Sequence, residues 1–317
     1  MRWIFLLSLA ACAHRIPEPS LSPPAETAGA PSDALKVCWV EFSTGTLPRR
    51  LSVAKGALDA AQVSTASGLL LMHPSGAWLI DGGMGDHVED EIDEVHGVRH
   101  LAMKQASSGW TRVAMPADAI AALGADPGAL TGLIPTHAHF DHLGGLLMLD
   151  APIVMPAQEI ALAAGSLTGD SDAVLPAEAR ALEGRSRPLD WDGGPFLLWD
   201  QSHDLFGDGS VVLVPMPGHT PGSLGAHIRL SDGRALMLVG DTVWVREGYE
   251  QRLPKSGVAS SFDEDGDATD AQIARLWALH QAQPDLAILP AHDRRTWVDL
   301  FGQPGCLGGT ELSPPTP

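Results

Sequence analysis

Apolar residues along the chain fall into short runs, each closed by a turn rich in glycine, proline or acid. Val37 to Ser43 (VCWVEFS) alternates apolar and polar positions and predicts a first strand. Between Ser67 and Asp81, two apolar runs flank a Pro-Ser-Gly turn and predict a hairpin that ends in Asp81-Gly82-Gly83. Pro116 to Leu123 fits a helix with proline in its first turn, and Leu130 to Pro135 reads as a strand. Ile153 to Met155 predicts another strand and Ala157 to Ala164 a helix. In the second half, Val211 to Val214, Leu224 to Leu230, Ala235 to Val239 and Leu286 to Leu289 read as strands. Ala271 to Ala282 carries Ile273, Leu276, Trp277 and His280 at helical spacing. Asp86 to Arg112 and Arg246 to Asp267 look polar and irregular, while Ser166 to Pro188 mixes helix-like pieces with breakers and is expected to cover the site.

The turns carry the candidate chemistry. Thr136 to Gly145 (THAHFDHLGG) follows the Leu130 to Pro135 strand and places His137, His139, Asp141 and His142 within six residues. Three imidazoles and a carboxylate at that density need a cation between them, and neutral imidazole with carboxylate suits zinc, iron, manganese or cobalt. His219, Asp241 and His292 each end a later apolar strand. Side chains delivered from strand ends to one rim are held by a rigid scaffold. His87, His96 and His100 lie in a charge-rich stretch without ligand spacing and read as surface residues.

At 317 residues and 44% apolar composition the chain can bury one large core. Its net charge of −19 and the lack of a basic stripe argue against a nucleic-acid partner. Met1 to Cys12 has the layout of an export signal: Arg2, an apolar stretch from Trp3 to Leu9, then Leu9-Ala10-Ala11-Cys12. That ending resembles a bacterial lipobox. The resemblance implies a signal peptide over 1–11, acylation of Cys12, and a lipid anchor in the cell envelope, with Ala13 favouring the outer membrane; an ordinary secretory signal is the alternative. Residues 12–34 are rich in Pro, Ala and Ser and are expected to be an extended, mobile tether. Cys38 and Cys306 are the remaining cysteines, and an oxidising compartment permits either a bridge between them or two free thiols.

Asp81-Gly82-Gly83, His137-x-His139-x-Asp141-His142, Gly218-His219-Thr220-Pro221-Gly222, Gly240-Asp241-Thr242 and Ala291-His292 together resemble the metallo-β-lactamase superfamily. The landmarks keep that family's order between Ser67 and Asp293. The resemblance implies an α/β fold over 35–317, a four-layer αββα sandwich with its metals on one edge of the two sheets. It also implies a small-molecule substrate and sets no oligomeric state. Position by position, His137, His139 and His219 would hold one metal and Asp141, His142 and His292 the other, with Asp241 bridging both. Two divalent ions, commonly zinc, would share a hydroxide as nucleophile. Asp141 is implied as the proton shuttle, a role Asp241 could share, and Asp81 and Thr220 as groups that orient ligand imidazoles. His73, His203, His227 and His280 match no ligand position.

Within the superfamily, Asp241 disfavours the true β-lactamases, and the His-x-His start disfavours flavodiiron-type oxidoreductases. Phe140 and the run from His203 to Ser210 resemble the N-acyl-homoserine lactonase branch. That branch places a tyrosine three residues after the bridging aspartate; this chain has Trp244 there, and its one tyrosine is Tyr249. Trp244 can donate an N–H or line an apolar wall but cannot act as a phenolic acid. The expected activity is hydrolysis of a small ester or lactone. The alternatives are a glyoxalase-II-like thioester hydrolase, a mononuclear iron persulfide dioxygenase, and a non-catalytic binding lipoprotein.

Overall fold

The computed structural model describes residues 15–20, 35–56, 61–95, 98–171 and 173–308. Cys12 and His96 lie outside these residues, as does most of the expected tether.

The chain opens with β1 (Lys36–Pro48), β2 (Ala61–His73) and β3 (Gly76–Ile80), followed by α1 (Val88–Ile92), α2 (Val98–Ser107) and β4 (Thr111–Arg112). Then come α3 (Pro116–Ala122), β5 (Leu130–Ile134), α4 (Phe140–Leu147), β6 (Ile153–Pro156), α5 (Ala157–Thr168), α6 (Pro176–Leu182) and β7 (Ser186–Leu189). The second half holds β8 (His203–Asp204), β9 (Val211–Pro215), β10 (Leu224–Arg229), β11 (Ala235–Leu238), α7 (Arg246–Gln251), α8 (Gly266–Ala282), β12 (Ala287–Leu289), α9 (Arg294–Phe301) and β13 (Gly305–Gly308). One sheet runs β13-β1-β2-β3-β5-β6-β7 with β4 paired to β1; the other runs β12-β11-β10-β9-β8.

Strands buried on both faces explain the near-continuous apolar runs in the sequence. Val37, Trp39, Leu69, Leu71, Ile80 and Ile134 turn toward the second sheet and meet Leu213, Ala226, Ile228, Leu236 and Leu238. The alternate residues Cys38, Val40, Leu70, Leu79 and Leu133 pack under Ile120, Leu143, Leu146, Ala163 and Leu182 of the helices. On the far side, Met216, Met237 and Val239 pack with Ile273, Leu276 and Leu279 of α8. The layers are therefore helix, sheet, sheet, helix.

Several elements depart from the sequence-based expectation. Asp86 to Arg112 is largely helical; among the described side chains α1 and α2 bury Ile92 and Met103 between charged residues and so show little period. β1 and β2 run on to Pro48 and back to Ala61 as one long bent hairpin, whose outer half is too polar and small-residue-rich to resemble a core strand. Within the stretch expected to be a tether, Ile16 is buried and its N–H donates to the Arg252 carbonyl at 2.9 Å. Cys38 and Cys306 are register partners of β1 and β13 and are joined by a disulfide.

Backbone approach fixes the floor of the site. Gly82 packs against α4 so closely that a side chain there would overlap Leu146 N at 2.4 Å, and one on Gly145 would overlap Gly82 O at 1.9 Å. The two glycines let the turn after β3 touch the helix that starts at Phe140. No described helix is long and apolar enough to cross a membrane.

Candidate metal centre

All seven predicted ligands arrive at one edge of the two sheets. His137 and His139 sit in the turn after β5, Asp141 and His142 in the first turn of α4, His219 between β9 and β10, Asp241 after β11 and His292 after β12. Donor atoms of His137, His139 and His219 gather within 4.8 Å of one another, and so do those of Asp141, His142 and His292. Asp241 joins His137 and His142 in a third such group, which places it between the other two.

The near distances describe how the donors face each other. His139 Nδ1 lies 3.0 Å from His137 Nε2 and 3.0 Å from His219 Nε2. Asp241 Oδ1 lies 3.2 Å from both His142 Nε2 and His292 Nε2, and His292 Nε2 is 3.3 Å from Asp141 Oδ2. His142 Nε2 and Asp241 Oδ1 are buried and form no hydrogen bond, although each has strong hydrogen-bonding capacity. A divalent cation held here would supply the missing partner, and the nitrogen and oxygen donor set fits zinc and its neighbours.

The outer nitrogens are anchored. Asp81 Oδ2 accepts from His142 Nδ1 at 2.9 Å, and Asp81 also accepts from the Thr136 N–H at 2.6 Å and its hydroxyl at 3.0 Å. Asp81 does this from a left-handed backbone conformation (φ 58°), uncommon for a residue other than glycine. His292 Nδ1 donates to the Thr65 carbonyl at 3.0 Å. The Asp263 carboxylate accepts from His219 Nδ1 at 2.7 Å, and Lys255 Nζ lies 2.5 Å from the same oxygen. Each bond turns the other nitrogen inward as a lone-pair donor.

Burial and charge set the protonation tendencies. Burial holds the His137 ring well below the usual histidine range, assisted by the neighbouring imidazoles, and holds His219 there together with Lys255. Burial opposes a charge on His292, yet Asp241 and Asp141 outweigh it and push the ring up to about 10. His142 is raised well above its ordinary value against the same burial, by Asp81, Asp241 and Asp141. Burial raises the Asp263 carboxyl to about 6, with Lys255 working against it. The carboxylates thus gather positive charge into the site.

Sequence reasoning missed several supporting residues. Glu159, buried on α5, accepts from the Ala138 and Gly222 amides at 2.8 Å each and so ties the two histidine turns together. Asp293 accepts from the Arg246 amide and from Arg295, fixing the turn that presents His292. Asp263 and Lys255 gave no signal, since one is an acid among many and the other an isolated lysine. Thr220 bonds to Ser223 and to Glu159 rather than to an imidazole, because its turn folds back on itself. His73, His203, His227 and His280 lie with Asp208, Asp192, Phe196 and Tyr249 respectively, away from the ligand groups.

A cavity of about 220 Å³ opens over Asp141, Asp241 and His292, walled by Met103, Trp110, Phe140, Trp244, Val258 and Phe262. Phe140 and Trp244 therefore line it as expected. The cover comes from α2, from Leu47 and Leu51 of the hairpin, and from the segment after α7; no described residue of Ser166 to Pro188 lines the cavity. That stretch packs behind α4 instead, through α6. Tyr249 is buried among core residues on the far side of the second sheet.

Residues 62–292 match the sequence profile of the metallo-beta-lactamase superfamily. The chain belongs to that superfamily. It is 26% identical over 244 residues to the N-acyl homoserine lactonase AttM of Agrobacterium fabrum, covering 74% of this chain and 84% of that one. It is 32% identical over 172 residues to the acyl-coenzyme A thioesterase MBLAC2 of Bos taurus, covering 53% of this chain and 57% of that one. Among solved structures, an N-acyl homoserine lactone hydrolase with N-hexanoyl-L-homoserine at its metal centre aligns with a TM-score of 0.63 at 17% identity, covering 85% and 98% of the two chains. AidC, a dizinc quorum-quenching lactonase, aligns with a TM-score of 0.56 at 18% identity over 86% and 92%. With its ligand residues gathered in the same fold, the chain is a metal-dependent hydrolase resembling lactonases.

Proposed function

We propose that this protein is a dinuclear metal hydrolase that opens a lactone or small ester bearing an apolar acyl chain. The observation that carries the reading is the arrangement of two three-residue donor groups with Asp241 between them, at the base of a cavity whose walls are aromatic and aliphatic. His137, His139 and His219 would hold one zinc, and Asp141, His142 and His292 the other, with Asp241 shared. Bound metals would lower the pKa of water toward ~7 and polarise the substrate carbonyl.

The chain's own residues supply the rest. The apolar walls take the acyl chain and exclude water from it. Asp141 borders the cavity, and its carboxylate can take the proton released on attack and return it to the leaving oxygen. Trp244 Nε1 is buried without a hydrogen-bond partner beside the His292 ring, whose centroid is 5.7 Å from that of the indole. That N–H is an available donor for a substrate oxygen.

The likeness to a thioesterase over half the chain supports a second reading, hydrolysis of an acyl thioester by the same centre. Acid release by pH-stat separates the two, with zinc- or manganese-loaded protein and a panel of acyl-homoserine lactones, esters and acyl thioesters. Turnover of lactones places the chain with the lactonases, turnover of thioesters alone favours the second reading, and silence on all three refutes both.

The Leu9-Ala10-Ala11-Cys12 sequence supports a location in the bacterial envelope, with Cys12 acylated and the domain tethered to the outer membrane. Labelling with a palmitate analogue in cells tests it, and an undiminished signal in Cys12→Ala would refute it.

A further inference from the structure

The most exposed large apolar residue described is Leu101, 68% exposed on α2, and it lies one helical turn from Gln105, which lines the cavity. Val258, 49% exposed, lines the same cavity from the segment after α7. Leu47 and Leu51 reach the cavity from the β1–β2 hairpin. Isolated exposed apolar residues need no explanation, but here Leu47, Leu51 and Val258 line one cavity and Leu101 stands one turn from Gln105, which lines it too.

Basic residues lie on either side of Leu51 in the chain. Between Glu41 and Asp59 the sequence holds no acid but carries Arg49, Arg50 and Lys55, within a chain whose net charge is −19. Arg50 and Lys55 are exposed, whereas Arg49 pairs with Glu247 at 3.3 Å. Apolar side chains beside exposed cations are the composition that binds an interface of anionic headgroups and acyl chains.

The N-terminal segment leaves the fold beside this surface. Ser256 Oγ donates to the Leu51 carbonyl at 2.5 Å and the Ala54 N–H to the Pro254 carbonyl at 3.0 Å, so the hairpin is fastened to the segment that carries Val258. Ile16 donates its N–H to the carbonyl of Arg252, two residues before Pro254, and its side chain is buried in the cluster that holds Trp199, Tyr249 and Ile273. Cys12 precedes Ile16 by four residues, a reach of at most about 14 Å of extended chain.

We propose that the face bearing Leu101, Val258, Arg50 and Lys55 rests on the bilayer that holds Cys12, so that the cavity opens onto lipid and receives acyl substrates from it. The proposal rests on acylation of Cys12. A free tether of more than twenty residues would leave the domain's orientation open; docking of Ile16 shortens it and selects this face. The substrate class this favours is an acyl lactone or ester with a chain long enough to partition into membrane.

The test uses zinc-loaded chain from Cys12 onward carrying Cys12→Ser, so that neither an acyl group nor the apolar leader holds it. It is sedimented with vesicles of phosphatidylethanolamine and phosphatidylglycerol. The expected result is measurable binding that falls at least about fivefold in Arg50→Glu and in Lys55→Glu, and about tenfold in Leu101→Glu. Zinc content and the circular dichroism spectrum should not change, since none of these residues lines the cavity or touches a ligand. No binding, equal binding by all three variants, or a dimer that Leu101→Glu dissociates in light scattering would overturn the membrane face. Palmitate labelling of the full chain in cells is read separately: vesicle binding without a label removes the anchor and the orientation it gives, while a label with variant-insensitive binding removes the face alone.

Discussion

Asp263 Oδ1 stands 2.7 Å from His219 Nδ1, and this contact turns His219 Nε2 toward His139 and Asp241. Asp263 is in turn held by Lys255, whose side chain is almost fully buried. Outer hydrogen bonds of this kind decide which nitrogen carries the proton and raise the basicity of the other. Asp263→Asn should weaken metal binding to the His137, His139 and His219 group by about ten- to a hundredfold. Chelator competition measures it, and unchanged affinity would show that the carboxylate does not orient the ring.

Asp241 is the residue common to both halves of the site. Asp241→Ala should lower metal content and abolish hydrolysis, because its Oδ1 lies 3.2 Å from His142 and His292 of one group while its Oδ2 lies 3.6 Å from His219 of the other, and no other carboxylate of the described residues joins the two groups. Elemental analysis of the purified variant gives the answer. Two tightly retained ions would count against the bridging position.

Trp244 can be separated into wall and donor. Trp244→Phe keeps an aromatic wall but removes the unpartnered Nε1–H, a change of roughly 1–2 kcal/mol where the donor meets a substrate oxygen. The expected result is a fall of about tenfold in kcat/KM with metal content intact. Unchanged kinetics would leave Trp244 as wall alone.

His227 supplies a pH dependence remote from the metals. Burial, assisted by Arg229, lowers its pKa to about 4. Above pH 6.5 the ring is neutral in the folded and unfolded states and contributes no slope. Between pH 6.5 and about 4 only the unfolded chain takes up the proton, so stability falls with pH, by up to about 3 kcal/mol. Below about 4 the loss stops growing. His227→Gln should flatten this part of the stability profile in urea titrations, and a parallel shift at every pH would refute the assignment.

The disulfide between Cys38 and Cys306 spans a sequence separation of 268 and fastens the edge strand β13 to β1. Its loss should cost about 2–5 kcal/mol. Thermal unfolding of Cys306→Ser against the parent measures it, and an unchanged Tm would show that the strand is held by its ladder alone.

What the sequence made legible follows from how each feature is encoded. The ligands were readable because each sits at a fixed offset from a glycine- or proline-marked turn after an apolar strand, as His219 does within Pro217-Gly218-His219-Thr220-Pro221-Gly222. The strands were readable because both faces of β5 and β9 are buried. Cavity walls other than Phe140 and Trp244 were not, since the described side chains of α2 bury Met103 among charges and the segment carrying Phe262 has no period. Glu159, Asp263 and Lys255 act through contacts across the fold, which no local pattern records. The expected cover over Ser166 to Pro188 failed for the same reason: loop-like composition does not say which way a segment faces.

The central claim is that the gathered histidines and aspartates form a hydrolytic metal centre beneath an acyl-binding cavity. Its most direct test is acid release from acyl-homoserine lactones by zinc-loaded protein, with chelator-treated protein alongside. The account predicts turnover that disappears with chelation, returns on adding zinc, and improves as the acyl chain lengthens into the apolar cavity. Turnover that survives chelation, or a zinc-loaded protein inert toward every lactone, ester and thioester tested, would contradict it.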